Sequence, residues 1–449
     1  MSVEELFGEL PKGWDYRTLG EVCAQGGGAV QTGPFGSQLH AADYVPVGIP
    51  SIMPQNIGDN RISADGIARI TMADAERLSK YRVKPGDIVY SRRGDVERRA
   101  LVRDSEDGWL CGTGCLRVRL GDGPVDPIFA AFYLGAAETR EWIVRHAHGA
   151  TMPNLNTSIL SACPMIVPPL PEQRAIAATL GALDDKIELN RKMNATLEAM
   201  ARALFRDWFV DFGPTRAKME GRAAYLSPGL WSLFPERLDD EGKPEGWEEK
   251  GLLRLANLIS GGTPKTDNAE FWNGNVPWAS AKDVSQCKDT FLIETDRSIS
   301  ENGLRNSATK IIPRYATVVV ARGATTGRSC MFGSDIAMNQ TCYALTSRSG
   351  QPFWLNCAFR ELVDRLVNAA HGSVFDTITT RTIEAVSLIE GPKELRDEFE
   401  HTVAPLFLRV LANVIETRTL AQTRDLLLPR LMSGELRVAD AEQIVRDVA

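Results

Sequence analysis

Two stretches of the chain carry apolar residues at alternating four- and three-residue intervals, which is the pattern of a coiled-coil seam. The first seam covers residues 176 to 208, and the second covers residues 399 to 427. Each stretch is long enough for a helix of more than eight turns. We therefore predict two long helices. Pro405 lies inside the second, and we expect it to kink that helix or to mark its true start.

Polar residues interrupt both seams at matching places. Asn190 and Asn194 in the first are followed, 223 residues later, by Asn413 and Thr417 in the second. A buried polar side chain needs a polar group opposite it, so the two helices are predicted to be partners. We expect antiparallel packing, which brings Asn194 nearest to Asn413 and Asn190 towards Thr417, whereas a parallel pair would match equal rungs.

The segments that precede the two seams repeat one another. Both are rich in glycine and proline, with short runs typical of strands and short interleaved helices. The matching pairs are residues 11–14 with 244–247, 85–94 with 313–323, 115–118 with 342–345, and 148–151 with 371–374. The repeat is too long for a solenoid and indicates a tandem duplication of one domain.

Charge is unevenly distributed along the 449 residues, whose net charge is −7. Residues 82–103 hold seven basic and three acidic side chains, and residues 305–332 hold five basic and no acidic ones. Two basic islands in an acidic chain indicate localised contact with phosphate, although either island alone could be a solvated face. Arginine can bind phosphate or guanine, and asparagine and glutamine suit adenine. The candidate DNA contacts are Arg92, Arg93, Arg98, Arg99, Arg322 and Arg328, followed by the weaker candidates Lys282, Asn339 and Gln340.

Catalytic motifs are missing from the sequence. The one Pro-Pro pair, at 168–169, has neither the Asn/Asp nor the aromatic residue of a methyltransferase motif, and residues 323–329 lack the spacing and the lysine of a phosphate loop. The Glu-x-Lys sequence at 248–250 resembles part of a nuclease motif, but residues 15–17, its counterpart in the repeat, differ from it. Eight cysteines without a Cys-x-x-Cys pair predict reduced core thiols and no zinc site. With no membrane span and no secretory signal, we expect a cytoplasmic, non-catalytic binding protein.

Several segments resemble the specificity (S) subunit of type I restriction-modification enzymes. The entry into the first seam reads Pro-Pro-Leu-Pro-Glu-Gln-Arg-Ala-Ile-Ala (168–177), and its body (184–191) and end (203–212) are also similar to that family. Ser-Gly-Gly-Thr-Pro (260–264) followed by Val-Pro-Trp (276–278) resembles the opening of a target-recognition domain. The first copy departs from it, with Thr-Gly-Pro-Phe-Gly-Ser at 32–37.

The resemblance implies an α+β fold. Two mixed α/β target-recognition domains (1–167 and 244–390) would be separated by two long spacer helices (168–212 and 391–435) that form an antiparallel coiled coil with internal two-fold pseudosymmetry. Residues 213–243 would be a linker, with one ordered piece around Trp231 and Phe234, and residues 436–449 a C-terminal tail.

The resemblance also implies a function. Each domain would read one half of a split double-stranded DNA target, while the helices set the gap and dock two methyltransferase subunits, with restriction subunits added. S-adenosylmethionine, ATP and magnesium would bind the partner subunits and not this chain. Two alternatives stay open at this stage, a coiled-coil scaffold and a self-contained DNA-modifying enzyme.

Overall fold

The chain forms two compact units in a computed structural model that describes residues 10–149, 152–369 and 377–448. Among these residues, the first unit comprises 10–187 together with 419–448, and the second comprises 188–418. Each unit therefore contains one part of each long seam.

The first unit is built on two sheets and a two-stranded ribbon. The five-stranded sheet has the order Gly27–Thr32, Cys115–Gly121, Ile88–Ser91, Arg99–Leu101 and Asp59–Asn60, and only its last pair is parallel. The second sheet has the order Ala68–Ile70, Tyr44–Ile52 and Leu110–Cys111, and the ribbon pairs Asp15–Thr18 with Pro164–Val167. The helices are Leu19–Gln25, Met72–Arg77, Pro127–Tyr133, Ala137–His146, Thr157–Ser161 and Val438–Val448, with 3-10 turns at Ala41–Asp43, Pro54–Asn56, Ser79–Tyr81 and Asp104–Glu106.

The second unit repeats this topology, with one additional strand in its second sheet. Its five-stranded sheet has the order Ala256–Ser260, Cys342–Ser347, Thr317–Val320, Ser329–Phe332 and Phe291–Leu292, with the same strand directions. Its second sheet has the order Arg297–Ile299, Trp272–Ala279, Ile336–Met338 and Ile311–Ile312, and its ribbon pairs Glu248–Gly251 with Ser387–Glu390. The helices are Gly213–Met219, Pro228–Ser232, Leu252–Leu255, Ala281–Gln286, Glu301–Arg305, Pro352–Ala369 and Thr380–Glu384, with a 3-10 turn at Ala269–Phe271. The predicted duplication and the α+β fold are confirmed.

Apolar middle strands explain why the five-stranded sheet of each unit lies in the interior of that unit. Ile88–Ser91 and Thr317–Val320, the middle strands of the two five-stranded sheets, are buried along their whole length. Helix starts are fixed locally: Thr18 caps the helix that follows it with a reciprocal Glu21 contact, and Ser280 does the same with Asp283.

Residues 213–243 are more ordered than a linker. They contain the helices Gly213–Met219 and Pro228–Ser232, and Phe234 is fully buried with its ring 5.6 Å from that of Trp208. The one predicted ordered piece is thus part of a larger folded segment, because Phe234 and its neighbours join the core of the second unit.

Two 40-residue helices, Leu170–Phe209 and Lys393–Met432, carry the predicted seams. In the second unit, Asn413 Nδ2 donates to Asn194 Oδ1 at 2.8 Å, as expected for antiparallel packing. Asn190 Nδ2 donates to Glu416 Oε2 at 2.8 Å and not to Thr417. The neighbouring Glu416 is long enough to reach into the seam, and its carboxylate is the stronger acceptor.

In the first unit, the same two helices are also antiparallel. Arg424 Nη1 donates to Asp184 Oδ1 at 2.7 Å, and Arg437, just past the second helix, lies 3.6 Å from Glu172 at the start of the first. Residue numbers along the second helix therefore increase as those of their partners on the first helix decrease, which is antiparallel packing.

Pro405 does not mark the start of the second long helix, which begins twelve residues earlier at Lys393. The proline is exposed, so the carbonyl that loses its helical partner can bind water. Buried Val403 and Phe407 on either side hold the helix against the core.

The Asn194–Asn413 contact generates a stability prediction. Asn413 is 0% exposed, so Asn194→Ala should leave its amide without a partner and lower the free energy of unfolding by about 1–3 kcal/mol. Urea unfolding of the whole chain measures this, with Thr196→Ala, an exposed position on the same helix, as the control. Replacing both asparagines with leucine should restore part of the loss. Equal unfolding midpoints for Asn194→Ala and wild type would contradict the buried contact.

Candidate nucleic-acid interface

The two basic islands form the same hairpin in both units. The hairpins join the strands Ile88–Ser91 to Arg99–Leu101 and Thr317–Val320 to Ser329–Phe332. In the first unit, Ser91 at the end of the first strand donates its N–H to the carbonyl of Arg98 at 3.0 Å. In the second unit, Val320 at the same place donates its N–H to the carbonyl of Arg328 at 2.9 Å. These two arginines are therefore structural equivalents.

Arg93 and Arg322 are a second equivalent pair. Each lies just past the buried strand and forms an isolated bridge, with Asn154 and Thr377 respectively. The residue after each is a glycine with positive φ, +75° for Gly94 and +105° for Gly323, so the chain turns in the same way. Each hairpin loop thus carries two arginines at matching positions.

Most of these guanidinium groups are available to a ligand. Arg93, Arg322 and Arg328 are exposed, and their side chains have no hydrogen-bond or ion-pair partner among the residues that the structure describes. Arg98 is 48% exposed and contacts Asp95, with Nε to Oδ2 at 2.6 Å. An exposed ion pair of this kind contributes about 0–1 kcal/mol, so a phosphate could replace the carboxylate.

Arg92 and Arg99 occupy more enclosed positions. Arg92 is half-buried, with its guanidinium 5.9 Å from the ring of Phe35. Arg99 is 5% exposed; its Nε donates to the Ala131 carbonyl at 2.8 Å and its Nη1 to Asp59 at 3.2 Å. Arg99 is thus held by contacts within the fold, and its burial does not favour the predicted DNA contact.

The environment of Asp59 shows how firmly Arg99 is held. Burial would raise the pKa of this carboxyl, but the charges of Arg99 and Arg424 outweigh burial and leave the pKa below its usual value. Asp59 therefore stays ionised and keeps Arg99 paired near neutral pH.

The opening loops of the two copies are equivalent despite their different sequences. A Cβ atom at Gly33 would lie 2.1 Å from the carbonyl oxygen of Gly112, and one at Gly261 would lie 2.1 Å from that of Asn339. Only glycine permits this approach. The two loops therefore share this close approach at the glycine, while the side chains that follow it differ.

The weaker candidates lie around the same loop in the second unit. Gln340 Oε1 accepts a hydrogen bond from Thr263 Oγ1 in the opening loop. Asn339 Oδ1 accepts from the backbone and side chain of Thr341, at 3.2 and 2.7 Å, which shapes the turn before the strand. Lys282 Nζ lies 2.6 Å from Asp296 Oδ2, and this hydrogen bond raises the pKa of the exposed lysine.

Backbone hydrogen bonds bring the hairpin loop next to these residues. Ala321, at the hairpin, donates its N–H to the Thr341 carbonyl at 2.8 Å, and the first unit repeats this bond from Arg92 to Gly114 at 2.8 Å. We call the surface formed by the hairpin loop, the opening loop and this turn the hairpin-loop surface of each unit. It contains all the sequence-predicted candidates except Arg99, which is buried, and Lys282, which lies on the adjoining helix Ala281–Gln286.

Phe35 is the residue of this surface that the sequence analysis missed. It is 54% exposed beside Arg92, and an exposed aromatic ring next to a cation suits stacking against a base or sugar. Its position between Gly33 and Gly36 could have identified it. Of the repeated histidine motif, His148 pairs its backbone with Asn154, while residues 371–374 lie outside the described residues.

A family profile described as "Type I restriction modification DNA specificity domain" matches residues 11–199 and 244–389. These ranges cover most of the chain. The chain belongs to this family. The two matched ranges correspond to the two copies of the duplicated domain; the first lies mostly in the first unit, and the second lies in the second unit.

Two relatives named as specificity subunits match along nearly their whole length. The HindI specificity subunit of Haemophilus influenzae is 28% identical over 439 residues, covering 86% of this chain and 95% of the relative. The MjaIX specificity subunit of Methanocaldococcus jannaschii is 24% identical over 444 residues, covering 97% and 96%. A crystal structure of a type I restriction-modification S subunit from M. genitalium has the same fold, with a TM-score of 0.57 and 16% identity over 94% of this chain and 97% of that one.

The described part of the chain lacks two further features. No helix there is long and apolar enough to cross a bilayer. Those residues also contain no cluster of three or more histidine, cysteine, aspartate or glutamate side chains arranged to hold a metal ion.

The contrast between Arg98 and Arg99 generates a prediction. Arg99→Ala should lower the free energy of unfolding by about 1–3 kcal/mol, because it leaves the buried Ala131 carbonyl without its donor. Arg98→Ala, the matched control, should change it by less than about 0.5 kcal/mol. Thermal and urea unfolding of the two variants check this. Equal stability of both would show that Arg99 is free to move to a ligand.

Proposed function

We propose that each unit of this specificity protein reads one half of a bipartite double-stranded DNA target through its hairpin-loop surface. The observation that carries the proposal is the pair of equivalent arginines in each hairpin loop, Arg93 with Arg98 and Arg322 with Arg328. Matching positions on a duplicated scaffold suit two half-sites, because each half presents a similar phosphate backbone and groove. Different side chains around the arginines would then select different bases.

The two long helices would set the gap between the half-sites and dock two methyltransferase subunits. The exposed apolar side chains on the second unit's share of these helices support docking, since apolar groups on an outer helix face are typical of an interface. They include Leu189 and Met200 on the first helix and Leu408 and Ile415 on the second.

Catalysis would belong to the partner subunits. The sequence has no methyltransferase, phosphate-loop or nuclease motif, so S-adenosylmethionine, ATP and magnesium would bind the methyltransferase and restriction subunits. This chain would contribute recognition and spacing. The restriction subunits join the complex in a system that also cleaves DNA.

The half-sites can be assigned with single variants in the complex reconstituted with its methyltransferase subunits. Arg93→Ala should weaken binding by about 1–3 kcal/mol and relax selection in one half of the target, and Arg322→Ala should do the same in the other half. Sequencing of methylated sites, together with competition binding between duplexes altered in one half, measures both effects.

Arg446→Ala is the matched control, because Arg446 is an exposed arginine of the C-terminal helix whose partner is Glu442. It should leave affinity and motif unchanged. If Arg93→Ala and Arg322→Ala relax the same half-site, or leave the motif and the affinity unaltered, the hairpin loops do not divide the target between them. A pure scaffold would show no salt-dependent binding to DNA, and a self-contained enzyme would transfer methyl groups without partners.

The spacing role can be tested by lengthening both helices together. Four residues inserted after Asn194 and four before Asn413 add about one turn, or 6 Å, while the partners on either side of the insertion keep their register. The methylated motif should keep both half-sites, and its gap should grow by one or two base pairs. Retained activity with an unchanged gap would refute the spacer role of the helices.

A further inference from the structure

A basic cavity of about 470 Å³ lies beside the two-stranded ribbon of the second unit. Its charged lining residues are four cations and one carboxylate, namely Lys250, Arg254, Arg348, Arg396 and Glu390. None of them belongs to the hairpin-loop surface. A cavity with such an excess of cations attracts an anion.

The floor of the cavity is a buried ion pair. Arg396 Nη2 lies 2.6 Å from one oxygen of Glu390, and Lys250 Nζ lies 2.7 Å from the other. Arg396 is 6% exposed, and its Nη1 also donates to Gln351 Oε1 at 3.3 Å. Its Nε is buried and has no hydrogen-bond partner among the described residues.

The rim carries cations that no carboxylate balances. Arg254 and Arg348 are exposed. Arg348 Nε donates to the Ala256 carbonyl at 3.2 Å; among the described residues, its two terminal amino groups and the whole Arg254 guanidinium have no partner. Lys250, by contrast, also lies 3.3 Å from Glu248, so its charge is largely neutralised. The two rim arginines are therefore the groups available to an anion.

The first unit provides an internal comparison, because its ribbon is folded in the same way. Leu19 and Leu252 begin the helix after the ribbon, and each donates its N–H at 2.9 Å to a carbonyl just before the second ribbon strand. This places Glu21 where the second unit has Arg254. Glu21 is committed to capping its own helix.

At the positions of Arg348 and Arg396, too, the first unit lacks a positively charged side chain. Asp122 and Arg348 each donate their N–H, at 3.0 and 2.9 Å, to the carbonyl just before the first strand of the five-stranded sheet. Gln173 and Arg396 each donate theirs at 3.1 Å to the carbonyl of the proline four residues earlier, just before the long helix begins. An acid, an acid and an amide in the first unit are thus replaced by three arginines in the second.

We propose that this cavity binds a phosphate group, and that the equivalent positions Glu21, Asp122 and Gln173 of the first unit do not form such a site. Arginine matches phosphate because its planar fork donates two parallel hydrogen bonds to two oxygens. The two rim arginines, Arg254 and Arg348, would make these contacts. The phosphate could belong to the DNA backbone or to a free phosphate-bearing molecule.

The test converts the rim to the residues of the first unit, with the double variant Arg254→Glu/Arg348→Asp in the full-length chain. Calorimetric titration with inorganic pyrophosphate tests whether the cavity binds a free phosphate-bearing molecule. Binding to duplex DNA without the target sequence, measured over a range of salt concentrations, tests whether the cavity binds a phosphate of the DNA backbone. Loss of two phosphate contacts should lower the salt slope by about 1 to 2, with the preference for the target over other DNA unchanged.

Either result supports a phosphate site: at least about tenfold weaker pyrophosphate binding, or the smaller salt slope. Arg254→Lys/Arg348→Lys should restore part of the effect, and Arg237→Ala, an exposed arginine of the second unit paired with Glu245, is the control. The proposal is overturned if pyrophosphate binding and salt slope both match wild type in the double variant. It is also overturned if the only change is weaker association with a methyltransferase subunit, since that result indicates an acidic protein surface. The readouts are independent of the half-site motif, so this proposal and the recognition proposal can fail separately.

Discussion

Burial of apolar side chains against two antiparallel helices is the constraint on which both units depend. The main core of the first unit includes Leu180 and Leu183 from one helix and Leu420 and Leu427 from the other, beside the strands of its five-stranded sheet. A sheet with an apolar face is stable only when another layer covers that face. Each core therefore needs residues from both long helices before it is complete.

Polar contacts inside this apolar seam define which residues face each other. Leucine and valine can slide past one another with little change in energy, whereas a buried amide or carboxylate is tolerated only opposite its partner. Asn194 with Asn413, and Asp184 with Arg424, therefore select one register in the second and first unit respectively. If the helices do act as a spacer, this selection matters more than the stability of each contact, because a slipped register would alter the gap.

The parts of the structure that could be predicted from sequence are those with a period. The four-three spacing predicted both helices, and the repeat predicted that Arg93 and Arg322 would occupy equivalent positions. Side chains whose role depends on contacts distant in sequence could not be placed. The burial of Arg99 was not predicted, because its partners Ala131 and Asp59 are 32 and 40 residues away in the sequence. The basic cavity was missed because its residues come from four segments, the first and last of which, at Lys250 and Arg396, are nearly 150 residues apart.

Duplication explains why the two units can differ where they do. Backbone hydrogen bonds at the base of the hairpin and beside the ribbon recur in both copies, so these parts of the fold do not depend on the side chains that they expose. Gly33 and Gly261 are retained because a Cβ would collide with the facing carbonyl, while Phe35 and Thr263, two residues on, are chemically unrelated. Steric demand thus limits change at the glycine and permits it at the exposed position. Two copies of one scaffold can therefore acquire different DNA preferences, and one copy can acquire a cluster of arginines that the other lacks, without any change in the helices that hold them.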